Sequence, residues 1–316
     1  MTALAAAALA ACTAGCGGGG AREAPPPRVF AFISNRDGAE LERLRAVGAR
    51  IDVAAPNWYA LDAATGVLRG GPRPALLASA RARGVRVWPV VNVNTGGSRA
   101  WEPPAARARL AGALRAVAQQ PGVRGVTLDM EELTPAQRGA FSRLVREAAA
   151  ALHAAHRSLA VYVARSGAAY DWRALGRSAD LLLAAGYNES HAGSRPGPVT
   201  TRAGFADVVD KALAAAGPHK AVPLLGAFGY RWPRGGRGEL IASADALALR
   251  RALGARPQRE DGNERFEAPG ATVVYQTAAD LRARARDARR RGAHWIGLFS
   301  LGREPPHFWH ALPTFR

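Results

Sequence analysis

Cysteine is almost absent from the 316 residues, and the two present, Cys12 and Cys16, both lie near the N-terminus. The rest of the chain can therefore form no internal disulfide and no thiolate metal site. The seven histidines show neither H-x-x-x-H nor H-E-x-x-H spacing, so no metal is expected. No G-x-G-x-x-G follows the first β-rich run, which removes the phosphate cradle of a dinucleotide fold. A G-x-S-x-G elbow and a catalytic Cys/His pairing are also missing, and no cofactor is expected. The net charge of +18 raises the question of nucleic acid. No basic block with interleaved aromatics and no zinc-finger spacing supports that partner.

The excess charge is carried mostly by Arg among abundant Ala. Many arginines fall at helical spacing, as in 282–291, and read as solvated helix faces. Such a surface favours anionic surroundings, wall polymers or lipid headgroups among them. Hydrophobic residues make up 48%, enough for a large core. After Pro27 short β-rich runs alternate with helical stretches. The expected strands are 29–34, 51–55, 85–93, 125–131, 159–165, 181–187, 221–227 and 295–300. The expected helices are 38–49, 73–83, 104–119, 135–156, 172–178, 203–216 and 279–291. Eight alternations with near-continuously apolar strands predict a (β/α)8 TIM barrel over 28–316. About fifty residues between the seventh strand and the last helix are too many for a loop. A helix at 243–254, a charged loop at 256–265 and a β-like piece at 271–275 predict a small α+β insertion, about 234–278.

Residues 2–11 are apolar but too short to span a bilayer. They lead into Leu9-Ala10-Ala11-Cys12 and a Gly/Pro-rich run to Pro27. This resembles a bacterial lipoprotein signal, although no Lys or Arg precedes the apolar stretch. The resemblance implies cleavage before Cys12, lipid on that residue and a flexible tether over 1–27. An ordinary secretory signal is the other form of the same expectation, export to the cell envelope.

The most informative feature is Asp129-Met130-Glu131 at the end of the run Gly125–Leu128. Alternation places Thr127, Asp129 and Glu131 on one strand face. Two carboxylates roughly 6–7 Å apart along a strand repel, so one of them is easier to protonate. A protonated acid beside an ionised neighbour suits acid-catalysed glycoside cleavage.

The run 125–131, Gly-Val-Thr-Leu-Asp-Met-Glu, resembles the fourth-strand signature of family 18 glycoside hydrolases, D-G-x-D-x-D-x-E. Four other stretches resemble the spore-cortex and polysaccharide-deacetylase-linked branch in the same order. They are 30–35 with Ala55-Pro56-Asn57-Trp58, then 185–189 with Pro196-Gly197-Pro198, then 228–233, and finally 295–306. The resemblance implies that Glu131 is the general acid and Asp129 orients the substrate's own acetamido group. It implies that Tyr187 hydrogen-bonds the acetamido oxygen, and it sets Asn188 where that motif usually carries Asp. Trp58, Tyr230, Trp232, Phe299 and Thr127 complete the expected substrate-binding set, Phe299 in place of a tryptophan beneath the sugar. The signature's other acids are Arg124 and Thr127 here, Ala185 replaces a methionine, and Arg231 replaces an Asp.

The implied function is retaining, substrate-assisted hydrolysis of β-1,4-linked N-acetylglucosamine glycans, of peptidoglycan or chitin type. A chitinase-like carbohydrate-binding protein is the alternative, because the acids at 124 and 127 are missing. The expected partners are such a glycan and, through Cys12, a membrane, with the chain acting as a monomer.

Overall fold

The computed structural model describes residues 28–34, 40–95 and 97–311. The signal-like segment with Cys12, and Asn35 of the first motif, lie outside the described residues. The chain opens with β1 (Arg28–Ile33), α1 (Glu40–Val47) and β2 (Val53–Asp62), whose hairpin partner is β3 (Leu68–Gly70). Next come α2 (Pro74–Ala82), the two-piece strand β4 (Arg86–Val87) and β5 (Val90–Asn94), and α3 (Pro104–Ala118). β6 (Gly125–Asp129), α4 (Arg138–His153), β7 (Ser158–Val163), α5 (Trp172–Ser178) and β8 (Leu181–Ala185) follow, then α6 (Arg202–Ala216) and β9 (Ala221–Gly226).

An antiparallel unit comes next: β10 (Phe228–Pro233), β11 (Glu239–Ala242), α7 (Ser243–Ala252), β12 (Gln258–Glu260), β13 (Asn263–Ala268) and β14 (Ala271–Tyr275). The helix α8 (Ala278–Arg290) and β15 (Trp295–Leu301) follow. Parallel pairing runs from β1 through β2, β5, β6, β7, β8 and β9 to β15, and β15 returns to β1. This is the closed eight-stranded (β/α)8 barrel expected from the alternation.

Alternation along each strand divides the apolar residues into two layers. Phe30, Phe32, Val53, Trp88, Leu183, Val222 and Leu224 fill the barrel interior. Ala31, Ile33, Val91, Leu128, Val161 and Leu182 face outward against the helices. Helix α4 shows the matching stripe, burying Phe141, Leu144, Val145, Ala148 and Leu152. These positions recur at three- and four-residue spacing on one face.

Two sequence expectations need correction. The strand expected at 51–55 continues to Asp62, because Pro56-Asn57 does not stop it: Pro56 pairs with Ile33 at the strand edge shared with β1. The charged loop expected at 256–265 is a hairpin, with Glu260 opposite Asn263 across Asp261-Gly262. Both turn residues have positive φ, 40° and 73°, the requirement of a two-residue hairpin turn and the reason Asp-Gly suits it. The inserted sheet, in the order β11-β10-β14-β13-β12, begins at Phe228, six residues before the expected 234. Buried Arg284 ties it to the barrel by donating to Gly262 O (2.9 Å) and Thr200 O (2.6 Å). Desolvation lowers that guanidinium to about 10.

Candidate active site

The carboxylates stand where β6 leaves the barrel. The strand stops at Asp129, Met130 and Glu131 follow it outside regular structure, and Glu132 turns the chain at φ 58°. Met130 is buried against the helices, and its carbonyl accepts from the Tyr170 hydroxyl at 3.0 Å. That bond fixes the backbone between the two acids. Asp129 is half-buried and Glu131 exposed.

Asp129 Oδ1 is buried and has no hydrogen-bond partner. Burial first, and the neighbouring Glu131 second, push this carboxyl up to about 7. Glu131 is also raised, by desolvation and by Glu132, against a lowering hydrogen-bond contribution from Tyr162. The two acids therefore behave as a coupled pair that holds a proton into the neutral range.

A cavity of about 370 Å³ opens beside Glu131. Tyr162, Tyr187, Asn188, Tyr230 and Ala185 line it, with His191, Arg165 and Arg237 at its edge. Burial and the adjacent acids push the Tyr162 hydroxyl above its usual range. Tyr187 is also raised, chiefly because it is buried, and its hydroxyl donates toward Tyr162. Both stay protonated, so Tyr187, Tyr162 and Glu131 form a line of donors ending at a carboxylate.

Gly186 makes that placement possible. A Cβ there would lie 2.6 Å from the Phe205 ring and 2.7 Å from Leu224 O. Asn188 turns the chain at φ 66°, a conformation Asn tolerates better than most residues. Its Oδ1 accepts from the Tyr230 hydroxyl at 3.0 Å, which joins the β8 loop to the inserted sheet. Phe299, partly exposed, packs on Tyr187 (5.6 Å between centroids), Phe32 (5.4 Å) and Phe228 (6.0 Å) as the aromatic floor.

Three expected substrate contacts fall elsewhere. Trp58 is buried among the outward-facing residues of the helix layer, because β2 is still a strand there and position 58 has the opposite face to Asn57. Thr127 is fully buried and donates to Trp88 O at 3.0 Å, so its hydroxyl reaches no sugar. Trp232 is buried behind Tyr230 (5.3 Å between centroids) and against Gly238. It supports the site without presenting a face to it.

The chain also brings in residues not expected from sequence. Tyr162 was hidden within an apolar strand, yet it shares the inward alternation of Ala160 and Ala164. Asn92 lies inward on β5 opposite Asp129 and donates to Asn57 Oδ1 across the mouth.

No family model matches the sequence. An uncharacterized glycosylase of Bacillus subtilis, YvbX, is 22% identical over 263 residues, 75% of this chain and 76% of that one. A chitinase from Chromobacterium violaceum superposes with a TM-score of 0.82 and 26% identity, over 92% of this chain and 98% of that chain. The spore cortex-lytic enzyme SleL of Bacillus cereus shares the fold at a TM-score of 0.79 and 17% identity, over 91% and 74%.

By fold and by these matches the chain is chitinase-like, similar to the family 18 glycoside hydrolases. It is a glycosidase of that type. The paired acids and tyrosines lie at the C-terminal ends of the strands, the end where (β/α)8 enzymes carry their active sites.

Proposed function

We propose that this chain hydrolyses β-1,4-linked N-acetylglucosamine glycans with retention, using the substrate's acetamido group as nucleophile. The observation that carries the reading is the pairing of a buried, unpartnered Asp129 Oδ1 with a solvent-reaching Glu131 beside an aromatic-lined cavity. A buried acceptor without a donor is costly, and an acetamido N–H supplies the missing partner. Glu131, whose carboxyl is pushed up by desolvation, protonates the glycosidic oxygen as the C1–O bond breaks. The acetamido oxygen attacks C1 from the other face and closes an oxazolinium ring. The ionised Asp129 stabilises the positive charge that develops on the acetamido nitrogen. Glu131 then takes a proton from water, which opens the ring at C1 and restores the starting configuration. Tyr162 donates to Glu131, Tyr187 turns its hydroxyl from Tyr162 to the acetamido oxygen when the sugar binds, and Phe299 packs beneath the ring.

Export belongs to the same reading. The L-A-A-C box supports lipid attachment at Cys12, with the barrel tethered at the cell envelope and acting as a monomer.

Turnover of a chromogenic N-acetylglucosamine oligomer tests the proposal. Glu131→Gln is expected to reduce kcat on the order of 10²–10⁴-fold while an N-acetylglucosamine thiazoline still binds. Undiminished turnover in that variant would overturn the assignment.

A further inference from the structure

The cavity beside Glu131 has a cationic rim that cleavage of a neutral sugar does not need. Arg165 and Arg237 line it together with His191. Arg165 is committed elsewhere: its Nη2 lies 2.8 Å from Glu189 Oε1, which also accepts from Thr201. Arg237 is different. It is exposed, and no carboxylate lies within salt-bridge range of it among the described residues.

Its backbone is nevertheless held in place. Gly238 N donates to Ala192 O at 2.8 Å, tying the β10–β11 turn to the β8 loop. A Cβ on Gly238 would meet Trp232 Nε1 at 2.6 Å, so the turn lies flat on the indole. A fixed backbone therefore presents an uncommitted guanidinium across the mouth from Glu131.

The rim continues beyond the cavity. Arg165 and Ser166 also line a second hollow of about 490 Å³, bordered by Arg138, Arg173 and Lys211 with Asp171 as its single acid. Arg138 pairs with Asp171 at 3.4 Å, and Lys211 lies over Trp172 at 4.2 Å. Arg173 is exposed with no ion partner among the described residues. The two hollows share Arg165 and Ser166 in their linings, and each has one guanidinium with no ion partner among the described residues, Arg237 and Arg173. A planar guanidinium binds a carboxylate through two parallel hydrogen bonds.

We infer that Arg237 is a specificity-determining residue that binds a carboxylate on the glycan, so that the preferred substrate carries an acid on a sugar next to the cleaved linkage. This rests on the hydrolase reading above and names the substrate class within it. A glycan alternating N-acetylglucosamine with a lactyl-ether amino sugar has that chemistry, and a pure N-acetylglucosamine oligomer does not.

The test compares kcat/KM for these two glycans at equal length, in the wild type, Arg237→Ala and Arg237→Lys. Binding of both by the Glu131→Gln protein, measured by calorimetry, gives a readout independent of turnover. The wild type is expected to prefer the acidic glycan. Arg237→Ala is expected to lower the acidic-to-neutral ratio about tenfold, and Arg237→Lys to restore part of it. The preference is expected to weaken as salt is raised from 20 to 300 mM, on the scale of ionic screening. A ratio unchanged by Arg237→Ala, in turnover or in binding, overturns the inference and leaves the hydrolase reading standing. Turnover unaffected by Glu131→Gln removes the hydrolase reading itself.

Discussion

Asp129 carries a cost that follows from its environment. Its carboxyl titrates at about 7 in the folded chain against 3.8 when free. Between those values the folded state binds more protons than the unfolded state, so stability falls as pH rises from about 4 to 7. A difference of roughly three pH units corresponds to at most about 4 kcal/mol. Asp129→Asn removes this titration while keeping the shape. It is expected to raise Tm at pH 8, flatten the pH dependence of Tm and abolish turnover, which thermal scans from pH 5 to 8 beside an activity assay can check. A mutant curve as steep as the wild type's would mean that the burden lies elsewhere.

Tyr162 acts in the opposite sense on the neighbouring acid, because its hydroxyl holds Glu131 down against desolvation. Tyr162→Phe is expected to move the alkaline limb of kcat/KM upward by as much as about one pH unit, with lower kcat. A pH–rate profile of the variant decides it, and an unmoved limb would separate Tyr162 from the proton.

At the scale of elements, the inserted sheet builds one wall of the site. β10 leaves the barrel one residue after β9 and brings Tyr230 to Asn188. The crossing is tight at Gly229, where a Cβ would lie 2.1 Å from Val274 O, a backbone atom that cannot rotate away. Gly229→Ala is expected to destabilise the fold by about 1–3 kcal/mol. It should also reduce turnover by shifting Tyr230, as denaturant unfolding and kinetics measured together would show. Stability equal to the wild type's would contradict this account of the strand crossing.

Element boundaries explain where reading the sequence went astray. The expected strand stops at 55, which leaves Trp58 just beyond it, whereas the continuing pleat to Asp62 turns it toward the helices. The Asp261-Gly262 pair carried a hairpin signal that the surrounding charges obscured.

Over the whole molecule, the charge of +18 and a pI near 11.3 favour association with anionic envelope polymers and lipids. Among the described residues no helix is long and apolar enough to cross a membrane. In the proposal, membrane attachment runs through lipid at Cys12. Cys12→Ala is expected to shift the protein from the membrane to the soluble fraction, read by fractionation and by loss of labelled fatty acid. Continued lipid labelling of that variant would move the attachment to another residue or remove it.

The eight apolar runs, their alternation with helices and the order of Asp129, Glu131, Tyr187 and Asn188 were already present in the sequence, because strand periodicity and local chemistry are short-range properties. The sequence could not show which face Trp58 and Trp232 take, that Thr127 is sealed beneath the site, or that Tyr162 and Arg237 meet at one cavity. Those outcomes depend on where strands end and on how distant segments pack, and closure of the barrel decides both. The raised carboxyls have the same origin: local sequence set Asp129 and Glu131 two residues apart, and burial by the surrounding strands pushed both up.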